Sequence, residues 1–150
     1  MRKRLVMLVL TSLLISITAI PVSAGRWGIG LGNPYISLKY WTSPRFAIEG
    51  RGAFGSGIGV YSVRLYRGFG PKGKTVTFAG VEVGLINFDK EDIEGDGSFG
   101  MLFLGFERFI SKKMAFSLDI GPAYISLSSE DTSVGGIEWV YNLGINFYFK

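Results

Sequence analysis

The fold is decided by residues 136–149, which read GIEWVYNLGINFYF. Every second position of this stretch is apolar or aromatic: Ile137, Trp139, Tyr141, Leu143, Ile145, Phe147 and Phe149. Small or polar residues dominate the positions between them. Because successive side chains of a β-strand point to opposite faces, the alternation predicts a strand with one apolar face. The stretch is long enough for a transmembrane strand, which needs about 9–11 residues, whereas an average soluble strand has about 5–6.

Seven shorter segments upstream show the same alternation and predict an all-β fold. They are Trp27–Leu31, Ile36–Tyr40, Phe46–Arg51, Tyr61–Tyr66, Val81–Leu85, Leu102–Glu107 and Phe116–Gly121. Asn33-Pro34 is predicted to separate the first two, because proline cannot donate a hydrogen bond to a strand ladder. The alternative is a single strand from Gly28 to Trp41 that is kinked at Pro34. We prefer the split, since up-and-down bacterial barrels have an even number of strands.

The connections alternate between tight turns and longer segments. Tight turns are predicted at Thr42–Arg45, Gly70–Gly73 and Ser111–Lys113. Polar or glycine-rich loops are predicted at Gly52–Gly57, Asp89–Gly97 and Ser126–Gly135. No helical periodicity is present after residue 24.

The first 24 residues have the pattern of a secretory signal peptide. Three basic residues, Arg2 to Arg4, precede an apolar segment from Leu5 to Ile20, and Val22-Ser23-Ala24 fits the cleavage rule of small residues. We expect cleavage after Ala24 and a single barrel domain over residues 25–150. An uncleaved membrane helix is the alternative, but Pro21 and the small residues favour cleavage.

The amino-acid composition argues against several classes of function. Removing residues 1–24 takes away three of the 16 basic residues and none of the 12 acidic ones, so the net charge falls to about +1 and does not indicate nucleic acid. The sequence has no Cys, so an exported domain must hold together without disulfides. It also has no His, which removes the commonest general base and metal ligand.

Charges within the strands lie on the face opposite the apolar one. They are Lys39, Glu49, Arg51, Arg64, Glu82, Glu107, Asp119 and Glu138. In a soluble barrel these charges would meet water, whereas in a membrane barrel they would point inward and the apolar face would meet lipid. The charged face is rich in glycine, which suits a narrow interior crowded by long side chains. We therefore predict a transmembrane barrel in which Arg51 and Arg64 pair with the carboxylates, and either Lys39 or protonation of one acid completes the charge balance.

Aromatic residues near the strand ends support the membrane interpretation. One group comprises Trp27, Tyr40, Trp41, Phe46, Phe109, Phe147 and Phe149, and the other comprises Tyr35, Phe88, Phe99, Tyr124 and Trp139. Two such girdles are expected where a barrel crosses the two membrane interfaces.

With these features the chain resembles the small, eight-stranded bacterial outer-membrane β-barrel proteins. The resemblance covers residues 25–150 and is most specific in the last strand, although the chain ends in Lys150 rather than Phe. It implies an antiparallel up-and-down barrel in outer-membrane lipid with both termini periplasmic. It also implies that the last strand is read by the barrel-assembly machinery through Tyr141, Leu143, Ile145, Phe147 and Phe149. It names no extracellular partner.

Two clusters of acidic residues are candidate sites. Five acidic residues between Asp89 and Asp96 could bind a divalent cation, but their spacing does not match an EF-hand and a solvated loop is preferred. The inward Glu82, Glu107, Asp119 and Glu138 could be paired catalytic acids, but pairing with the arginines is preferred. We predict no catalytic, metal or cofactor site.

The favoured function is a non-enzymatic structural or surface-interaction protein whose lumen is filled by polar and charged side chains. Barrel lipases and acyltransferases of similar size use a His, which this chain lacks. A narrow pore is disfavoured, because an eight-stranded barrel is only wide enough to be filled by side chains. A soluble lipocalin-like barrel that binds a small apolar ligand is the remaining alternative.

Overall fold

The computed structural model describes residues 25–90, 93–129 and 132–149. The predicted signal peptide lies outside this range and stays a prediction. The strands are β1 (Arg26–Gly32), β2 (Tyr35–Ser43), β3 (Phe46–Gly55), β4 (Ile58–Lys72), β5 (Thr75–Lys90), β6 (Ile93–Phe109), β7 (Met114–Ser129) and β8 (Ser133–Phe149). Across the described ranges, no helix is long and apolar enough to cross a membrane.

The strands form one closed antiparallel barrel. Each strand pairs with the next along the chain, and β1 pairs with β8 to close the sheet, with Trp27 opposite Phe149 and Gly32 opposite Gly144. β1 and β2 are separate strands joined at Asn33-Pro34, whose peptide bond is cis. The predicted eight-stranded up-and-down barrel is therefore confirmed, and the single kinked strand is excluded.

Three predicted loops are wrong, because most of their residues belong to strands. In the segment predicted as the acidic loop, β5 continues to Lys90, β6 begins at Ile93, and Asp89 lies opposite Glu94. Likewise β7 and β8 extend to Ser129 and from Ser133, and β3 and β4 to Gly55 and from Ile58. In the acidic hairpin the polar residues Asn87, Asp89, Glu94, Asp96 and Ser98 lie on the outward face, in register with Leu85, and Ile86, Phe88 and Phe99 lie on the inner face. The outward face there is polar and no longer apolar, so the pattern of an apolar outer face ends although the strands continue.

The apolar face of the barrel points outward. All seven alternating residues of the stretch that decides the fold are 40–75% exposed. The same holds on other strands, for example at Leu38, Val63, Val83 and Leu102, which are 47–63% exposed. Buried charges occupy the inside. This is the inverse of a soluble barrel, in which the apolar face forms the core.

The end of the barrel near the termini is filled by an apolar cluster. Trp41, Val76, Phe78 and Phe109 are at most 2% exposed, and Ala47 and Ala115 pack with them. Trp41 and Phe109 were predicted to lie in an outer girdle, as was Tyr35, which is 5% exposed; all three are inside. Their position in the pleat, and not their aromatic character, sets the side on which they lie. Trp27, Phe46 and Trp139 do face outward.

Glycine on the inner face makes room for these rings. A Cβ atom built on Gly28 would lie 2.6 Å from Cε1 of Tyr148, so a larger residue would have to displace that ring. Tyr148 is held by hydrogen bonds to Trp41 and Glu107 and cannot move freely. The interior is thus packed from the terminal end upward, as the glycine-rich face suggests.

Candidate functional site: the charged interior of the barrel

Seven of the eight charges predicted to point inward are buried inside the barrel. Lys39, Glu49, Arg51, Arg64, Glu82, Glu107 and Asp119 are at most 9% exposed. Glu138 lies on the inner face, opposite Ala123 on β7, but it is exposed, so its predicted place in the buried interior is wrong. β8 loses its β1 neighbour beyond Gly144, so Glu138 lies where the wall is open on one side. Within the described residues, none of the interior ion pairs includes it.

Arg64 is the centre of the larger ionic group. Its Nη1 and Nη2 donate to the two carboxylate oxygens of Asp119 at 2.8 and 2.7 Å, and its Nε lies 2.7 Å from Oε2 of Glu82. The pairing register places Glu49, Arg64 and Glu82 side by side on β3, β4 and β5. Asp119 comes from β7, which is not a neighbour of β4. The Arg64–Asp119 pair therefore spans the lumen.

Neutral polar side chains complete the coordination of these carboxylates. Ser62 Oγ donates to Glu82, and Asn142 Nδ2 donates to Oδ1 of Asp119 at 2.9 Å. The hydroxyl of Tyr66 donates to Oε2 of Glu49 and accepts from Nη1 of Arg64 at 3.0 Å. Tyr66 is 2% exposed, and its hydroxyl bridges Glu49 and Arg64.

Arg51 is held much more loosely than Arg64. Its Nε lies 3.4 Å from Glu49 Oε2, and its Nη2 lies 4.0 Å from Asp119 Oδ2 and 3.4 Å from the Tyr66 hydroxyl. Its guanidinium stacks on the ring of Tyr35, 3.9 Å from the ring centre. The contacts of Arg51 are therefore long compared with the 2.7–2.9 Å of a good charge-assisted bond.

A second ionic group lies nearer the termini. Lys39 Nζ is 3.7 Å from Oε1 of Glu107, and both side chains are at most 2% exposed. The same oxygen accepts from Asn146 Nδ2 at 2.6 Å and from the hydroxyl of Tyr148 at 2.7 Å. Lys39 also lies 4.6 Å from the centre of the Tyr66 ring, which connects the two groups.

Tyr66, Tyr148 and Asn146 were not predicted as members of the site. All three lie on the inner face, in the same alternation as the charged residues, so their position could have been read from the sequence. Which carboxylates they would contact could not, because those partners are 17–41 positions away along the chain.

The buried charges of this site are held mainly by contacts with one another. Three buried cations face four buried carboxylates, and most of their polar atoms are engaged with one another. Removing one partner of such a buried pair typically costs about 3–5 kcal/mol, since a charge is left without compensation. No group of acidic residues that could hold a metal occurs among residues 25–90, 93–129 and 132–149, and Glu91 and Asp92 of the predicted acidic loop lie outside them.

Comparisons with known proteins bear on the fold. No family model matches the sequence, and no curated protein does. Among solved structures, the N-terminal β-barrel domain of OprF from Pseudomonas aeruginosa is similar, with a TM-score of 0.52 and 12% sequence identity over 83% of this chain and 94% of that domain. At this identity the likeness concerns the fold alone. The chain has the closed eight-stranded fold of a small outer-membrane barrel.

Proposed function

We propose that this chain is a non-enzymatic protein of the bacterial outer membrane, with a structural or surface-interaction role and a closed lumen. The observation that carries the proposal is the inverted polarity of the barrel: apolar side chains cover its outside and ion pairs cross its inside. An apolar outer face is stable when it is buried in lipid. Ion pairs that cross the barrel are expected where the interior is packed and dry.

The closed lumen rests on two successive layers. The apolar cluster around Trp41 and Phe78 fills the terminal end, and the Arg64–Asp119 pair crosses the barrel above it. Arg64 and Glu107 are wholly buried, which supports a lumen that is closed to water at this level. An ion that entered would have to displace paired charges, which supports a barrel that does not conduct.

The two alternative functions, a soluble ligand-binding barrel and a narrow pore, each require a different distribution of apolar and polar side chains. A soluble lipocalin-like barrel needs an apolar interior and a polar outside, and large hydrophobic residues such as Leu85 and Leu104 are more than 60% exposed here. A narrow pore needs a continuous polar path, and the layer of Phe78 and Phe109 lies across it. Both alternatives are therefore less favoured than the closed membrane barrel.

Recordings in planar bilayers test the proposal. The folded wild-type protein is expected to give no steady single-channel current, because the ion pairs and the apolar cluster block the lumen. Folding of each sample is checked by circular dichroism, so that an absence of current is not mistaken for a failure to fold. A stable open channel in the folded wild type would contradict the closed lumen.

A matched variant makes the recording informative. Arg64→Ala removes the side chain that spans the lumen, whereas Arg45→Ala changes an exposed turn residue. Current events are expected to be more frequent for folded Arg64→Ala than for Arg45→Ala. Equal behaviour of the two variants would mean that Arg64 does not help to close the barrel.

A further inference from the structure

The barrel contains a chamber on the side of the ion pairs away from the termini. Its volume is about 220 Å³. Apolar side chains form much of its wall: Ala53, Val60, Ile86, Met101, Ile125 and Val140. A space of this size corresponds to the volume of roughly seven waters at about 30 Å³ each. A short alkyl chain with a small head group has a similar volume.

The chamber is closed at one end. Arg51, Ser62, Glu82 and Asn142 line its floor, and the wholly buried Arg64 lies behind them. Pro34, in the turn between β1 and β2, also lines the chamber. The barrel wall is lower at this turn than at β8. The last β1 residue paired with β8 is Gly32, opposite Gly144, whereas β8 extends beyond that pair to Ser133. A ligand would enter on this side and stop at the ionic floor.

The floor offers one loosely engaged polar group. Glu82 is bonded to Ser62 and Arg64, and Asn142 is bonded to Asp119. Arg51 instead has only contacts of 3.4–4.0 Å to its polar neighbours. Its donors can therefore turn to an acceptor in the chamber without breaking a short bond.

The charge around the floor argues against a charged ligand. Two cations, Arg51 and Arg64, already face three carboxylates, Glu49, Glu82 and Asp119. An anion would add to this excess of negative charge, and a cation would have to lie against Arg51. An uncharged head that accepts a hydrogen bond avoids both costs.

We infer that the chamber binds a small neutral amphiphile, with its alkyl or aryl body against the apolar wall and its hydrogen-bond acceptor directed at Arg51. This site goes beyond the proposed function, because it needs the chamber and its floor but neither a silent lumen nor a particular partner. Its failure would leave the conductance experiment unaffected.

Methyl NMR of the protein in lipid nanodiscs tests the inference with 1-octanol, octane, octanoate and octylammonium as probes. Methyl groups of Val60 and Ile125 report on the chamber, and those of the outward Val63 and Ile120 report on lipid. Octanol is expected to shift Val60 and Ile125 saturably and to bind about tenfold more tightly than either charged probe, since a charge would be buried without compensation. Val63 and Ile120 should show only unsaturable changes from partitioning.

Three variants locate the bound probe. Val60→Trp fills the chamber and should abolish the saturable shift at Ile125, whereas the outward control Val63→Trp should not. Ala53→Leu is a milder filling variant if Val60→Trp does not fold, and it should weaken octanol binding. Arg51→Gln should reduce the advantage of octanol over octane, which would identify Arg51 as the contact of the head.

Two results would overturn the inference. One is a shift that never saturates and is equal at Val60 and Val63, which means partitioning into lipid only. The other is tighter binding of octanoate or octylammonium than of octanol, which means that the floor selects a charged head.

Discussion

Arg64 combines more short ionic contacts than any other buried side chain in the described part of the chain. It pairs with Asp119 through two bonds and with Glu82 through a third, and it is 0% exposed. An arginine fork matches a carboxylate in this way because its donors are planar and fixed. Lysine at this position would lack the planar pair of donors that binds both oxygens of Asp119.

Arg64→Ala is expected to destabilise the barrel by about 3–5 kcal/mol, because Asp119 and Glu82 would lose their buried partner. Arg45→Ala, in the exposed turn between β2 and β3, is expected to change stability by less than about 0.5 kcal/mol. Urea unfolding of both variants in lipid vesicles measures the difference. Equal midpoints would mean that water compensates the interior charges and that the lumen is wet.

β6 crosses the apolar belt, and Leu104 marks its middle. Leu104 lies opposite Ala79 on β5 and Ile120 on β7 and is 61% exposed. Ile110 is similarly exposed, at 58%, but lies just beyond the end of β6. The two residues therefore differ in depth and hardly in exposure.

Leu104→Arg is expected to cost about 2–4 kcal/mol in a bilayer, whereas Ile110→Arg, near the interface, should cost about 0–1 kcal/mol. The measurement is the free energy of unfolding in lipid vesicles. If both variants match the wild type, the outer face of β6 does not contact hydrocarbon.

β8 is the element on which assembly is proposed to depend. Its outward residues Tyr141 to Phe149 carry the pattern that, by resemblance, the barrel-assembly machinery reads. Phe149 is 44% exposed and pairs with Trp27, so it adds little to the interior packing.

Phe149→Ser is expected to lower the amount of assembled barrel in cells several-fold, while the purified variant still folds in detergent. Phe46→Ser, at a similarly exposed phenylalanine on β3, is the control for lost apolar surface. Assembly in cells is followed by protease resistance of the envelope fraction. An equal loss for both variants would mean that Phe149 acts through general hydrophobicity and not as part of a signal.

The whole molecule is a sheet without an unpaired first or last strand, because β1 and β8 close the barrel. Opening it requires simultaneous loss of ladder bonds and of the ion pairs across the lumen. Closed barrels satisfy their backbone groups internally, which is what makes them compatible with lipid.

The folded barrel is therefore expected to resist dodecyl sulfate at room temperature and to unfold on boiling. Unheated and boiled samples should migrate at different positions on the same gel. Arg64→Ala should convert at a lower temperature than the wild type. Identical migration of heated and unheated protein recovered from vesicles would contradict a closed barrel in the membrane.

The sequence by itself determined on which side of the sheet most residues lie. Alternation is a local property of the strand, so the outward Trp139 and Leu143 and the inward Lys39, Arg64 and Asp119 follow from position alone. The number of strands follows from the sequence as well, because Pro34 ends the first strand. Aromatic character was a poorer guide than parity, as the buried Trp41 and Tyr35 show.

Only the tertiary structure decided which inward residues meet. Arg64 and Asp119 are 55 positions apart and come together because closure of the barrel brings β4 and β7 to opposite walls of one narrow lumen. The same closure leaves Glu138 exposed, since β1 ends before it reaches that height on β8. The chamber above Arg51 arises in this way too. Its walls come from several strands, and no local pattern specifies the space between them.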